Sequence, residues 1–150
     1  MENQIKKQIE IKAPVSRVWR ALTDHREFGE WFRVKLDGPF VSGEESTGHM
    51  TYPGYEHLPW KAVVQEIQPE KLFSFTWHPY AGEPDFDYSN EPSTIVEFRL
   101  QPTANGTLLT VTESGFENIP AGRRLDAFRR NEGGWATQVK NIDEYVTQHP

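Results

Sequence analysis

The stretch Leu125-Asp126-Ala127-Phe128-Arg129-Arg130-Asn131-Glu132-Gly133-Gly134-Trp135-Ala136-Thr137-Gln138-Val139-Lys140-Asn141-Ile142-Asp143-Glu144-Tyr145-Val146 decides the fold. Leu125, Phe128, Trp135, Val139, Ile142 and Val146 recur in it at spacings of three, four and seven, which lays one apolar stripe along a helix. Pro120 suits the beginning of that helix, because the first N–H groups of any helix lack an intrahelical partner. The Gly133-Gly134 pair interrupts it at a cost of about 1 kcal/mol per Gly relative to Ala. Close packing against a neighbour, or a kink, is the expected reason. A long helix with one apolar face needs a complementary surface, and the chain before it supplies one.

Gln4 to Ile11 alternates, with Ile5, Lys7, Ile9 and Ile11 on one face, so the chain opens on a strand. Pro14 then starts a helix carrying Val15, Val18, Trp19 and Leu22 on one side, and Thr23-Asp24 stops it and caps a second helix from His25 to about Glu30. Six strands follow, separated by turn signals: Phe32–Leu36, Gly48–Tyr52, Trp60–Ile67, Lys71–His78, Ser93–Leu100 and Thr107–Ser114. The last two form a hairpin across Pro102 to Gly106. Pro79 to Pro92 carries three Pro, one Gly and several acids, and reads as a loop able to close over a cavity. Consecutive strands with short connections make an antiparallel sheet. The expectation is an α+β protein of one domain over residues 1–150, a seven-stranded antiparallel sheet curved around a long C-terminal helix.

Composition narrows the function. The chain has 150 residues and no cysteine, which excludes disulfides, thiolate metal sites and cysteine nucleophiles, and fits a cytoplasmic setting. A net charge of -6 opposes nucleic-acid binding. The one basic cluster, Arg123, Arg124, Arg129 and Arg130, reads as a solvated helix face. Nothing approaches the length of a membrane-spanning segment, so no membrane insertion is expected. Of the five His, none stands at metal-ligand spacing, and no phosphate loop, dinucleotide fingerprint or nucleophile elbow occurs. No metal or cofactor is expected, and no catalytic residue is assigned.

Four phrases resemble a known family. Ile11-Lys12-Ala13-Pro14 followed by Val18 to Thr23, Phe28-Gly29-Glu30-Trp31-Phe32, Glu66 to Leu72 with Phe75-Thr76-Trp77, and Thr107 to Phe116 with Gly134-Trp135 are similar in order to the START-like, helix-grip superfamily. Within it they most resemble the family named for the C-terminal domain of the activator of the heat-shock-protein-90 ATPase. The resemblance implies the helix-grip fold and an apolar ligand cavity between sheet and helix. Relatives commonly carry His three residues before the Gly-Trp pair, where this chain has Asn131, so a His-dependent activity is not expected. The separate N-terminal domain of the eukaryotic activator has no counterpart in these residues, so chaperone activation is not expected either.

Strand parity nominates the site. Phe73, Phe75 and Trp77 share a face, as do Val96, Phe98 and Leu100. Glu113 continues the row of Leu109 and Val111, and is either solvated at the strand's end or held inside a pocket, where loss of water disfavours a charged carboxylate. Glu66, on the face of Ala62 and Val64, invites the same question. The candidate ligand-binding set is Trp31, Phe32, Trp60, Phe75, Trp77, Phe98, Glu113, Phe128, Asn131 and Trp135. His78 could reach its rim. Three functions remain open. The first is binding of a small apolar, aromatic or lipid-like molecule. The second is a cyclase- or dehydratase-type enzyme using a pocket carboxylate as acid or base. The third is a protein-interaction module related to chaperone regulation. Oligomeric state is not legible.

Overall fold

Strand register carries the architecture from one edge of the sheet to the other. The computed structural model describes residues 3–79 and 91–150. Its strands are β1 (Gln4–Ile11), β2 (Val34–Leu36), β3 (Glu45–Met50), β4 (Pro59–Gln68), β5 (Leu72–Trp77), β6 (Thr94–Thr103) and β7 (Gly106–Ser114). All pair antiparallel in one seven-stranded sheet of order β1-β7-β6-β5-β4-β3-β2. From β2 to β7 each strand lies beside its sequence neighbour, the commonest arrangement for consecutive strands. Only β1 crosses, to pair along its whole length with β7.

Three helices complete the α+β helix-grip arrangement: α1 (Val15–Thr23), α2 (His25–Phe32) and α3 (Ala121–Gln148). Asp24 closes α1 and caps α2, its Oδ1 accepting from the N–H groups of Arg26 and Glu27. Phe32 belongs to α2 and not to β2. Phe28, Trp31 and Phe32 stand at helical spacing, all three buried, and that burial outweighs the short alternation that starts at Phe32. Arg33, in the left-handed region at φ 68°, ends the helix.

The inward row of every strand follows parity. In β7 Thr107, Leu109, Val111 and Glu113 are buried, and in β6 Thr94, Val96, Phe98 and Leu100. Helix α3 lies across this face with Ala127, Phe128, Trp135, Val139, Ile142 and Val146 buried. Leu125 has the spacing of that stripe yet remains 44% exposed, because spacing fixes an angle about the helix and not the presence of a neighbour. Gly133 and Gly134 are exposed, and a Cβ on either would meet no atom within 4 Å. The close approach expected at this pair is therefore absent, and α3 runs through it without a break.

Three strand assignments shift for local reasons. β3 begins at Glu45 and ends at Met50, ahead of Tyr52 and the Pro53-Gly54 turn. β6 continues past Leu100 through Pro102, and the hairpin turn is only Ala104-Asn105. Thr103 and Gly106 close it, so Pro102 turns its donor-less nitrogen away from β7, beyond the last residue of β5 paired to β6. In β4 a bulge between Val64 and Ile67 shifts the register and turns Glu66 out to solvent. The inward position inferred for Glu66 from its strand parity is thus corrected. No helix among the described residues is long and apolar enough to cross a membrane.

Candidate functional site

Where β5 ends, β6 begins and β7 ends, the inward rows converge under the middle of α3. Trp77 pairs with Thr94, Phe75 with Val96, and Val96 with Glu113. Glu113 therefore sits diagonally from Thr94 on the same face. Above it, Asn131 and Trp135 stand four residues apart on α3, one turn of a single helix face.

Five hydrogen bonds converge on the Glu113 carboxylate. Trp135 Nε1 donates to Oε1 at 2.8 Å and Trp77 Nε1 to Oε2 at 2.8 Å. Thr94 Oγ1 donates to Oε2 at 2.6 Å. Asn131 Nδ2 bridges both oxygens, at 2.9 and 3.1 Å. Glu113 has 0% exposure, so the reading of a solvated strand end is overturned. Among the described residues no Lys, Arg or His lies within ion-pair distance of it. The penalty for burying an acid without a cation is offset instead by hydrogen bonds from neutral groups. Every partner donates, which suits a carboxylate acting only as acceptor.

The amide of Asn131 is oriented by this arrangement. Its Nδ2 must face the carboxylate, so its Oδ1 points elsewhere. Among the described residues no donor reaches that oxygen, and the side chain is half-buried. Glu113 is the anchor and Asn131 the group left with a free acceptor.

Around the carboxylate the aromatic candidates form one body. Trp135 lies 5.8 Å from Trp77, 5.7 Å from Phe98 and 6.1 Å from Phe32, centre to centre. Trp60 joins through Phe32 at 5.3 Å, Phe75 at 5.5 Å and Trp77 at 5.6 Å. Most pairs meet edge to face, the geometry ring quadrupoles favour. Trp31 sits at the periphery, its Nε1 donating to Ala21 O at 2.8 Å, and ties α2 to α1. Phe128 packs on Phe116 at 5.1 Å, in a short helical turn after β7, and shares no ring contact with the main cluster. Of the ten nominated residues, seven rings from Trp31 to Trp135 are thus contiguous, Glu113 and Asn131 form the polar end, and Phe128 stands apart.

Thr94 was missed, although its parity with Val96, Phe98 and Leu100 was available to find it. The rim holds a second surprise. Arg123, expected on a solvated face, pairs with Glu91 at 2.7 Å, and its Nη2 donates to Pro79 O at 2.9 Å. His78 Nε2 lies 3.0 Å from Glu91 O. The first turn of α3 is thereby tied to residues flanking β5 and β6. The loop expected to cover the cavity, Pro79 to Pro92, falls largely outside the described residues. Among the described residues no three His, Cys, Asp or Glu gather as a metal site would require.

Known structures share the fold. Protein MLL2253 of Mesorhizobium loti is 24% identical, with 98% of each chain covered and a TM-score of 0.77. Protein NE0264 of Nitrosomonas europaea is 24% identical over 97% of this chain and 95% of its own, at a TM-score of 0.74. DynU16, a protein in the dynemicin biosynthetic locus, is 22% identical over 98% of this chain and 48% of its own, at 0.75. Likenesses at this identity establish the fold alone. No curated protein matches the chain. The model of the family described as Activator of Hsp90 ATPase homolog 1-like protein matches residues 12–147.

Proposed function

The chain belongs to the activator of Hsp90 ATPase homologue 1-like family, and from that premise we propose that it binds a small apolar molecule, aromatic or lipid-like, between the sheet and α3. The observation that carries this reading is the half-buried Asn131, whose amide nitrogen is held by the same carboxylate as the Trp77 and Trp135 indoles and whose Oδ1 no donor among the described residues reaches. Pockets of this kind are apolar with a few placed polar groups. The ligand this arrangement suits has an apolar body, to lie against Trp77 and its neighbours, and one hydroxyl or N–H to donate to Asn131.

The enzymatic alternative receives less support. A general acid needs a proton to give, and each Glu113 oxygen already accepts from Trp, Thr or Asn donors. Protonating it would set an O–H against a donor. Glu113 thus acts as a positioning residue, and Asn131 would make the ligand contact.

Titration with 2-naphthol and with naphthalene, followed by tryptophan fluorescence, tests the reading. Naphthol should bind more tightly by several-fold, in keeping with a neutral hydrogen bond of about 0.5–1.5 kcal/mol. Asn131→Leu should abolish the difference while naphthalene binding persists. Equal affinity for both probes in the unsubstituted protein, or no saturable binding of either, would overturn the proposal.

A further inference from the structure

In a chain of net charge -6, cations that face no carboxylate need a reason. Arg26, Arg33 and Lys35 are exposed, and among the described residues none of them lies within ion-pair distance of an Asp or Glu. All three line one open cleft of about 630 Å³ between α2 and β2, in which Glu30 is the single acid. The cleft thus carries a local excess of positive charge on a molecule that is acidic as a whole, and clefts focus such fields.

The backbone adds donors to the same place. Arg33 O accepts from Thr51 N, Asp37 N donates to Thr47 O, and Lys35 stands opposite His49. In an antiparallel pair the residues between these bonding positions turn their N–H groups outward. Val34 and Leu36 are those residues, both line the cleft, and β2 is the edge of the sheet. Helix α2 lies directly against this edge, since a Cβ on Gly29 would collide with Val34 O. The helix thereby occupies part of the edge, where another strand would otherwise pair.

Arg33 is held there against its own preference. It caps α2 at φ 68° and ψ 56°, where Gly or Asn is the ordinary choice. Its guanidinium lies 5.9 Å from the centre of the exposed Tyr52 ring. Cation–π attraction of this kind uses none of the guanidinium's N–H groups as hydrogen-bond donors to an acceptor atom, and those groups suit a planar or tetrahedral oxyanion.

We propose that the α2–β2 cleft binds a compact phosphate-bearing small molecule, held by Arg26, Arg33, Lys35 and the outward N–H groups of Val34 and Leu36. This site is separate from the interior around Glu113 and stands whether or not the apolar-ligand reading holds.

The test is titration of the whole chain with inorganic pyrophosphate at fixed ionic strength, followed by backbone amide NMR. Saturable shifts should appear at Val34, Leu36 and Arg33, with a dissociation constant in the millimolar range or tighter. The double variant Arg33→Asn, Lys35→Gln should weaken binding about tenfold or more. Asn is chosen because it tolerates the left-handed conformation. Lys61→Gln, on β4 beside Glu45, should leave affinity unchanged. If the double variant melts early, Arg26→Gln and Lys35→Gln singly carry the test, each with a several-fold loss. Shifts that scatter over unrelated Lys and Arg without saturating, or affinity unmoved by the cleft variants, would overturn the proposal.

Discussion

At the scale of single residues, Glu113 is the strongest structural commitment in the molecule. A buried acid whose partners are all neutral donors depends on keeping every one of them. Glu113→Gln replaces one acceptor oxygen with an NH₂ that faces donors, so at least one indole or hydroxyl loses its partner. The expected cost is about 1.5–3 kcal/mol in urea denaturation, the range for hydrogen bonds to a charged group. A fluorescence change should accompany it, since Trp77 and Trp135 both donate to this carboxylate. Unaltered stability would mean that the network contributes nothing. Trp135→Ala should cost more, about 3–5 kcal/mol, because it removes both the hydrogen bond and a 3%-exposed ring touching Trp77, Phe98 and Phe32. Glu113 itself was legible from the parity of Leu109 and Val111, which point the same way. What parity alone left undecided was whether its end of β7 is covered. That cover comes from α3, some twenty residues further on, and from Thr94 and Trp77 on other strands. Glu66 shows the converse failure, since a bulge reverses parity and leaves no residue type in Val64 to Ile67 that announces it.

Among elements, α3 is the one whose reading went furthest and also misled. Its stripe from Phe128 to Val146 was plain in the spacing, yet the Gly133-Gly134 pair suggested a tight contact that does not exist. With nothing near either Cβ, Gly134→Ala should raise stability by up to about 1 kcal/mol through helix propensity, read as a higher denaturation midpoint with unchanged slope. A loss of stability would reveal a contact that the backbone position conceals. The far end of the same helix is tied down by charge. Arg17 Nη1 lies 2.8 Å from Glu27 Oε1, Arg17 Nε donates to His149 O at 2.7 Å, and the Tyr145 hydroxyl donates to Glu27 Oε1 at 3.1 Å. Burial, and then the hydrogen bond to Glu27, push the Tyr145 hydroxyl above the usual phenol value. A raised folded value means that stability is fully present while the phenol is protonated in both states, and is lost as pH rises through the folded value. Unfolding free energy should therefore fall with alkaline pH more steeply in the wild type than in Tyr145→Phe. Parallel pH profiles for the two proteins would remove Tyr145 from the account.

For the molecule as a whole, order of elements and antiparallel pairing were readable because each turn signal lies between two runs of period two. The α2–β2 cleft was not readable. It depends on Arg33 adopting a conformation that residue type argues against, and on an edge strand whose outward N–H groups only register reveals. Gln4 pairs with Ser114, and Ile11 with Thr107, so the first strand finds its partner only in the last. During synthesis β2 to β6 can zip in sequence as they emerge, each against the strand before it. β1 instead must wait for roughly a hundred residues, carrying Ile5, Ile9 and Ile11 with no strand to cover its backbone groups. Such non-local closure is slow, and an unpaired apolar strand is prone to aggregate while it waits. The lysines at positions 6 and 7 lie in that waiting segment, and their charge opposes self-association of nascent chains until β7 arrives.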